Sequence, residues 1–344
     1  MFEIKIAYDF DKIERNNAKA FLNHFELEYE EGIDTTINLY INSELVGTGS
    51  KEKDVFKCFA IAKSIQGSGA LSKLLSILQS ECNQNSIFHF FLFSKIENLD
   101  VFEKTLFQEV AHTERVVLFE GGIGRIESIL KALASKLELN SHVKRSAIVM
   151  NCNPFTKGHR YLIETASQES EEVIVFVLEE DLSLFDTQSR FEMVKLGVED
   201  LKNVKVILSG EYIISSKTFP TYFLKKNDDM TQVYTNLDVT IFGKYFCEIL
   251  GIDKRYIGTE PNCNITECYN LSIQNLLPQF GVEVKVLKRI ESAEGVISAS
   301  KVREYIKKSE YEKLSDMLPE STIKFLQSEK GRRCVEKIQK NSKS

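Results

Sequence analysis

Between Ser146 and Tyr161 the chain reads SAIVMNCNPFTKGHRY: a short apolar run enters a turn carrying Asn153, Pro154, Thr156, Gly158 and His159, and helical spacing follows. A helix entered from the end of a strand suits anion binding, because its first N–H groups have no intrahelical partner and its dipole is positive there. Pro154 fixes the turn, Gly158 lets backbone approach a phosphate, and Thr156 and His159 put donors on one face. Taken alone, a Gly-His pair reads first as an N-capped helix with a surface histidine; it is the whole pattern that favours phosphate.

Far downstream, Ile297 to Arg303 reads ISASKVR. Ser298 and Ser300 can cap a helix beginning there, and Lys301 and Arg303 can face phosphate oxygens from its first turn. An ordinary capped helix with exposed charges has the same local pattern. Each segment thus offers a helix entry of the kind that holds an anion.

These segments need a scaffold, and the second part of the chain supplies alternating elements. A strand is expected over Ser146–Asn151, a helix from about Lys157, a strand over Val173–Leu178, a helix over Ser189–Glu199 and a strand over Val204–Leu208. That alternation implies a doubly wound, Rossmann-like parallel sheet, whose ligands collect beyond the carboxyl ends of the strands. In the first part, Thr36–Ile41 alternates as a strand, Val55–Ala62 is a second apolar run, and Leu71–Leu78 has helical periodicity, so an α/β domain is expected there too. Arg125–Leu139 carries apolar residues at helical spacing and is followed by the polar stretch Asn140–Arg145, and all five prolines lie beyond residue 150. The expected domains are 1–140, with the linker helix, and 145–344. Gly121, Gly122 and Gly124 lack the spacing of a dinucleotide fingerprint and read as a turn before that helix.

A length of 344 residues suits two cores, and the 43% hydrophobic and 27% charged content belongs to globular chains. The net charge of -6 gives no broad positive field for a nucleic-acid backbone, although ATP needs only a few placed donors and a metal. Seven scattered cysteines, Cys263 and Cys268 among them, form no disulfide or zinc pattern and suit reduced thiols in a cytoplasm. The start, Met1–Glu14, lacks the basic region and apolar core of a signal peptide, and no apolar run approaches a membrane span of about 20 residues, so a soluble, cytoplasmic protein with no membrane partner is expected.

Pro-x-Thr-x-Gly-His after a strand resembles the signature of the nucleotidyltransferase superfamily, with Thr156 where a first histidine often stands; ISASKVR matches its second phosphate-binding segment. Coenzyme-forming branches usually carry Gly and Phe where this chain has Met150 and Cys152, and often Asp at Asn153, so the departures point elsewhere. The fuller pattern is similar to the citrate lyase ligase family through four blocks: NCNPFTKGHRYLIE, SSKTFPTYFLK (Ser215–Lys225), GTEPNCNITECYN (Gly258–Asn270) and ISASKVR. The resemblance implies that Thr156, His159 and Arg303 are catalytic. It also implies that Asn151, Asn153, Phe155 and Gly158, then Gly258 and Glu260, then Ser298, Ser300 and Lys301 hold ATP with Mg2+. Ser215, Ser216 and Thr218, beside Phe219 and Phe223, supply hydroxyls suited to an acyl or nucleotide cleft, and Glu260 suits ribose or a metal-bound water. Surface loops would look alike in both blocks.

Upstream, KCFAIAKSIQGSGALSKLL (Lys57–Leu75) resembles the coenzyme A pyrophosphate loop of GCN5-related acetyltransferases, with Gln66, Gly67 and Gly69 between strand and helix. The third small-residue position falls on Leu71 unless the helix starts at Ala70, and a packing turn is the competing reading. The resemblance implies that the family's reaction is ATP-dependent activation of acetate and acetylation of the thiol on the dephospho-coenzyme A-derived prosthetic group of citrate lyase's acyl-carrier subunit. A cofactor-forming adenylyltransferase and an acetyl-coenzyme A-dependent transferase or carrier-binding module remain the alternatives.

Overall fold

A computed structural model describes residues 2–30, 32–179, 183–214, 228–259, 264–292 and 295–340. Ser215, Ser216, Thr218, Phe219, Phe223, Glu260 and Cys263 lie outside the described residues. The chain divides into two compact units, the first ending at Ile129 and taking in helix residues up to Leu237, the second beginning at Leu130 and resuming at Asp238. The sequence suggested a single break between residues 140 and 145.

The first unit runs β1 (Glu3–Tyr8), α1 (Lys12–Asn23), β2 (Thr35–Ile41), β3 (Glu44–Glu52), β4 (Val55–Ile61), α2 (Ala70–Gln84), β5 (His89–Lys95), α3 (Leu99–Phe102), β6 (Gln108–His112), β7 (Val116–Gly122) and the start of α4 (Ile126–Lys136). Its seven-stranded sheet has the order β1-β2-β3-β4-β5-β7-β6. Neighbours pair antiparallel except β4 and β5, which run parallel and pair only at Val55 with Phe91 and Phe56 with Leu92. A 3-10 turn at Lys63–Ile65 leads from β4 through Gln66 and Gly67 to Gly69, the N-cap of α2. The helix therefore begins at Ala70, which places a small buried residue where the loop pattern asks for one. Gly121 lies within β7, where a Cβ would stand 2.4 Å from the Phe90 ring, so it is a packing glycine rather than part of a turn.

The second unit runs from the rest of α4 through β8 (Arg145–Met150), α5 (Lys157–Glu169), β9 (Glu172–Val177), α6 (Thr187–Gly197), β10 (Val204–Leu208), the last turn of α7 (Asp228–Ile241), a π-helical stretch Phe242–Cys247, α8 (Glu248–Leu250), β11 (Ile252–Gly258), α9 (Asn264–Leu276), β12 (Glu283–Leu287), the hairpin β13 (Glu291–Ser292) and β14 (Gly295–Val296), α10 (Ala299–Lys308), α11 (Leu314–Met317), α12 (Glu320–Gln327) and α13 (Glu329–Lys340). The five-stranded sheet has the order β10-β9-β8-β11-β12, and every pairing is parallel. Strands this buried read as near-continuous apolar runs, as β9 does in VIVFV. The order reverses between β8 and β11, which opens a crevice beyond their carboxyl ends.

The two faces of this sheet are covered differently. Phe176 meets Phe242 and Phe246 edge-on from one face. Tyr256 reaches Glu169 of α5 from the other, with its hydroxyl 2.6 Å from the carboxylate. The core beneath α5 joins Ile148, Ile163 and Val175 to Val302, Tyr305 and Phe325 of α10 and α12, so α10 is packed onto the layer that carries α5.

Close packing also fixes the turn between β8 and α5. Phe155 is fully buried, and a Cβ on Gly197 of α6 would stand 2.3 Å from its Cε1. Neither group can yield without disturbing the entry to α5. Gly197→Ala is expected to lower stability by about 1–3 kcal/mol, the usual cost of overpacking. Urea unfolding measures it as a lower midpoint with unchanged slope; a wild-type midpoint would show that the ring can move aside.

Candidate functional site

The first motif forms the turn at the end of β8 and the first turn of α5. Thr156 is the N-cap: its Oγ1 accepts the His159 N–H at 3.4 Å, and His159 Nδ1 accepts the Thr156 N–H at 3.0 Å. This is a capping box with an imidazole in the place usually taken by a carboxylate or amide. Because Nδ1 is an acceptor, a neutral His159 carries its proton on Nε2 and can donate from there. Burial, helped by the nearby positive charge of Arg289, pulls its pKa down to about 4, so the imidazole is neutral at ordinary pH.

The second motif is built in the same way. Ser298 is the N-cap of α10, and its Oγ accepts the Lys301 N–H at 3.2 Å. The two segments meet through Arg303, whose Nη1 donates to the Asn153 carbonyl at 2.5 Å while Nη2 donates to Ser300 Oγ at 3.1 Å. Helix entries far apart in the chain thus face one crevice, with backbone N–H groups of Lys157, Gly158, Ala299 and Ser300 at their first turns.

Gly158 lies where they approach. A Cβ there would fill space 3.5 Å from Thr156 Oγ1 and 3.7 Å from the Ile297 carbonyl, ordinary contacts that give the fold no reason to exclude alanine. Gly258, at the end of β11, has open space in the direction of its missing Cβ. Two helix entries, a neutral imidazole donor and a glycine with room for a Cβ form an arrangement able to hold an anion.

Several expected roles change once side chains are placed. Thr156 is 2% exposed and its hydroxyl caps the helix, so it sets His159 rather than facing phosphate. Phe155 offers a ligand no surface; its ring lies 5.9 Å from that of His159, nearly parallel, and supports it from the core. Asn151 is also occupied, accepting from Arg190 Nη1 at 2.6 Å and donating to Ser183 Oγ at 3.1 Å. Asn153 contributes its carbonyl to Arg303, and its Oδ1 accepts the Phe185 N–H at 3.2 Å. Lys301 has its Nζ 3.7 Å from the position of a Cβ on Gly295, toward the β13–β14 hairpin.

Two arginines in this region were not foreseen. Arg190, fully buried on α6, donates to the carbonyls of Asn151, Leu178 and Phe185 and so clamps the loops that leave β8 and β9. Arg289, just beyond β12, donates from Nε to the Thr259 carbonyl at 2.7 Å and from its backbone N–H to Thr259 Oγ1 at 3.3 Å. Neither lies in a recognisable motif; each is defined by a strand end reached from elsewhere. In the first unit, Gly67 and Gly69 take φ of +80° and +86° with open space around them, a conformation that leaves the loop backbone approachable.

Among the described residues no helix is long and apolar enough to cross a membrane. Comparison with solved structures finds similarity over 36% of the chain to the ribosomal-protein-S18-alanine N-acetyltransferase from Escherichia coli (15% identity, 96% of that chain, TM-score 0.29) and to an acetyltransferase of the GNAT family from Staphylococcus aureus Mu50 (13% identity, all of that chain, TM-score 0.29). Residues 145–326 match the family model for the citrate lyase ligase C-terminal domain. The curated [citrate [pro-3S]-lyase] ligase of Klebsiella pneumoniae is 34% identical over 92% of this chain and 93% of its own length. That of Escherichia coli strain K12 is 32% identical over 93% and 94%. With the parallel sheet, the paired helix entries and these relatives agreeing along nearly the whole sequence, the chain belongs to the citrate lyase ligase family of enzymes.

Proposed function

We propose that the protein uses ATP to activate acetate as acetyl-adenylate, then acetylates the prosthetic-group thiol on the acyl-carrier subunit of citrate lyase. The observation that carries this reading is the Arg303 bond to the Asn153 carbonyl, which brings the two phosphate-type helix entries to one crevice. In the first step an acetate oxygen attacks the α-phosphorus, the bond to the bridging oxygen breaks, and pyrophosphate leaves. In the second the carrier's sulfur attacks the acetyl carbonyl, the thiol proton passes to solvent, and AMP departs with its electron pair.

Acetate is already anionic, so the first step needs no protein base; alignment and charge stabilisation supply the catalysis. His159 donates from Nε2 to the α-phosphate as charge builds, held at that angle by the Thr156 N–H on Nδ1 and by the Phe155 ring. Arg303 and the Ser300 N–H hold the departing pyrophosphate from the first turn of α10. Mg2+ would arrive on the triphosphate and neutralise part of its charge. Gly67 and Gly69 of the first unit would take the pyrophosphate of the carrier's prosthetic group on their loop backbone.

His159→Ala is expected to lower acetate-dependent pyrophosphate exchange by about 100- to 1,000-fold, the usual cost of one such donor, with nucleotide binding less affected. Exchange near the wild-type rate would remove His159 from the mechanism, and exchange without any need for acetate, or an adenylylated product in place of AMP, would indicate cofactor synthesis. Gly69→Val should reduce carrier acetylation by roughly 100-fold through misplacement of the docked arm while leaving exchange intact. Equal loss of both activities would count against a docking role for that loop.

A further inference from the structure

Between Asn151 and Asn153, Cys152 adopts a φ of +53°, in the left-handed region that residues with a side chain rarely enter. Its thiol is buried in the core that also holds Met150 and Phe155, so packing fixes the side chain as well. A backbone conformation of this kind persists only where surrounding contacts outweigh its cost.

Arg190 supplies such contacts on both sides of Cys152. Its Nη1 donates to the Asn151 carbonyl at 2.9 Å and to Asn151 Oδ1 at 2.6 Å. Toward Asn153 the link passes through one residue: Arg190 Nε donates to the Phe185 carbonyl at 3.0 Å, and the Phe185 N–H donates to Asn153 Oδ1 at 3.2 Å. The same guanidinium reaches the Leu178 carbonyl at 2.6 Å, and the Leu178 N–H donates to the Met150 carbonyl at 3.1 Å. Both neighbours of the left-handed residue are therefore tied to one fully buried side chain.

Asn153 is also where the two helix entries join, because its carbonyl accepts from Arg303 Nη1. Peptide units are rigid planes, so a turn that relaxed at Cys152 would redirect the Asn153 carbonyl and deprive Arg303 of its acceptor. Resting on the nucleotide reading above, we propose that Arg190 is a positioning residue for the activation step: it holds Cys152 in its left-handed turn and so keeps the Asn153 carbonyl within reach of Arg303. Arg190 acts through this turn and not on the nucleotide.

The test uses the full-length protein as Arg190→Lys, Cys152→Gly and the double variant, with every rate corrected to the folded fraction found by urea unfolding. Lysine keeps the charge but has no fork to span the carbonyls of Asn151, Leu178 and Phe185. Acetate-dependent pyrophosphate exchange per folded molecule should fall about 10- to 100-fold in Arg190→Lys, the scale of a small misplacement, and amide hydrogen exchange over residues 150–158 should quicken. Adding Cys152→Gly removes the penalty on the left-handed conformation and should raise the Arg190→Lys rate about 5- to 30-fold. A merely structural arginine predicts no such rescue, because removing a buried thiol lowers stability further and restores no activity. Thr187→Val, which deletes the hydroxyl that Arg190 Nη2 bonds at 3.0 Å, is the milder variant should Arg190→Lys not fold; its loss should be about 3- to 10-fold, with the same rescue. Unchanged exchange per folded molecule overturns the proposal, and so does a double variant no faster than its parent. Failure of the nucleotide reading looks different: the wild type would neither exchange pyrophosphate nor bind α,β-methylene-ATP in calorimetry, while the turn amides of Arg190→Lys would still exchange faster.

Discussion

The second unit's crevice depends on one long-range contact, the guanidinium of Arg303 on the Asn153 carbonyl, 150 residues away. An α-helix entry is a weak anion site by itself, because its dipole and few orphan N–H groups are screened by water. Two entries facing one volume act together on an anion placed between them. Arg303 sets their spacing, and the core that seats Val302 and Tyr305 of α10 among Ile148, Ile163 and Val175 holds that spacing against thermal motion.

Around this contact the fold places support behind the groups proposed to meet the nucleotide. Thr156 and Phe155 fix His159, and Arg190 fixes the loops leaving β8 and β9. Preorganisation of this kind matters for phosphoryl transfer, where the protein has little covalent chemistry to perform and must hold donors where charge will appear. It also explains why residues with no capacity to touch a ligand are crowded so tightly here, Phe155 against Gly197 above all.

Much of the architecture was legible from residue patterns, because local rules govern it. The apolar run before Asn151, the Thr-x-x-His cap and the Ser-x-x-Lys start of α10 are short-range features, and strand alternating with helix implied the parallel sheet. Side-chain direction was less legible. Thr156, Phe155 and Asn151 have types suited to ligand contact, but Thr156 and Asn151 spend that capacity on neighbouring groups, and Phe155 lies wholly within the core. Arg289 escaped notice because it is an isolated arginine in sequence, and its position is set by Thr259 across a strand boundary.

The sequence by itself determined the two helix entries, the order of the elements and the family, since capping chemistry, hydrophobic period and motif spacing are encoded within a few residues of one another. Tertiary structure decided which donors face the crevice. It turned Thr156 inward, brought Arg303 to Asn153 and tied Arg289 to Thr259. The physical reason is that a side chain's free donors are what remain after packing and hydrogen bonding to distant strands have taken their share, and that remainder exists only once the sheet is assembled.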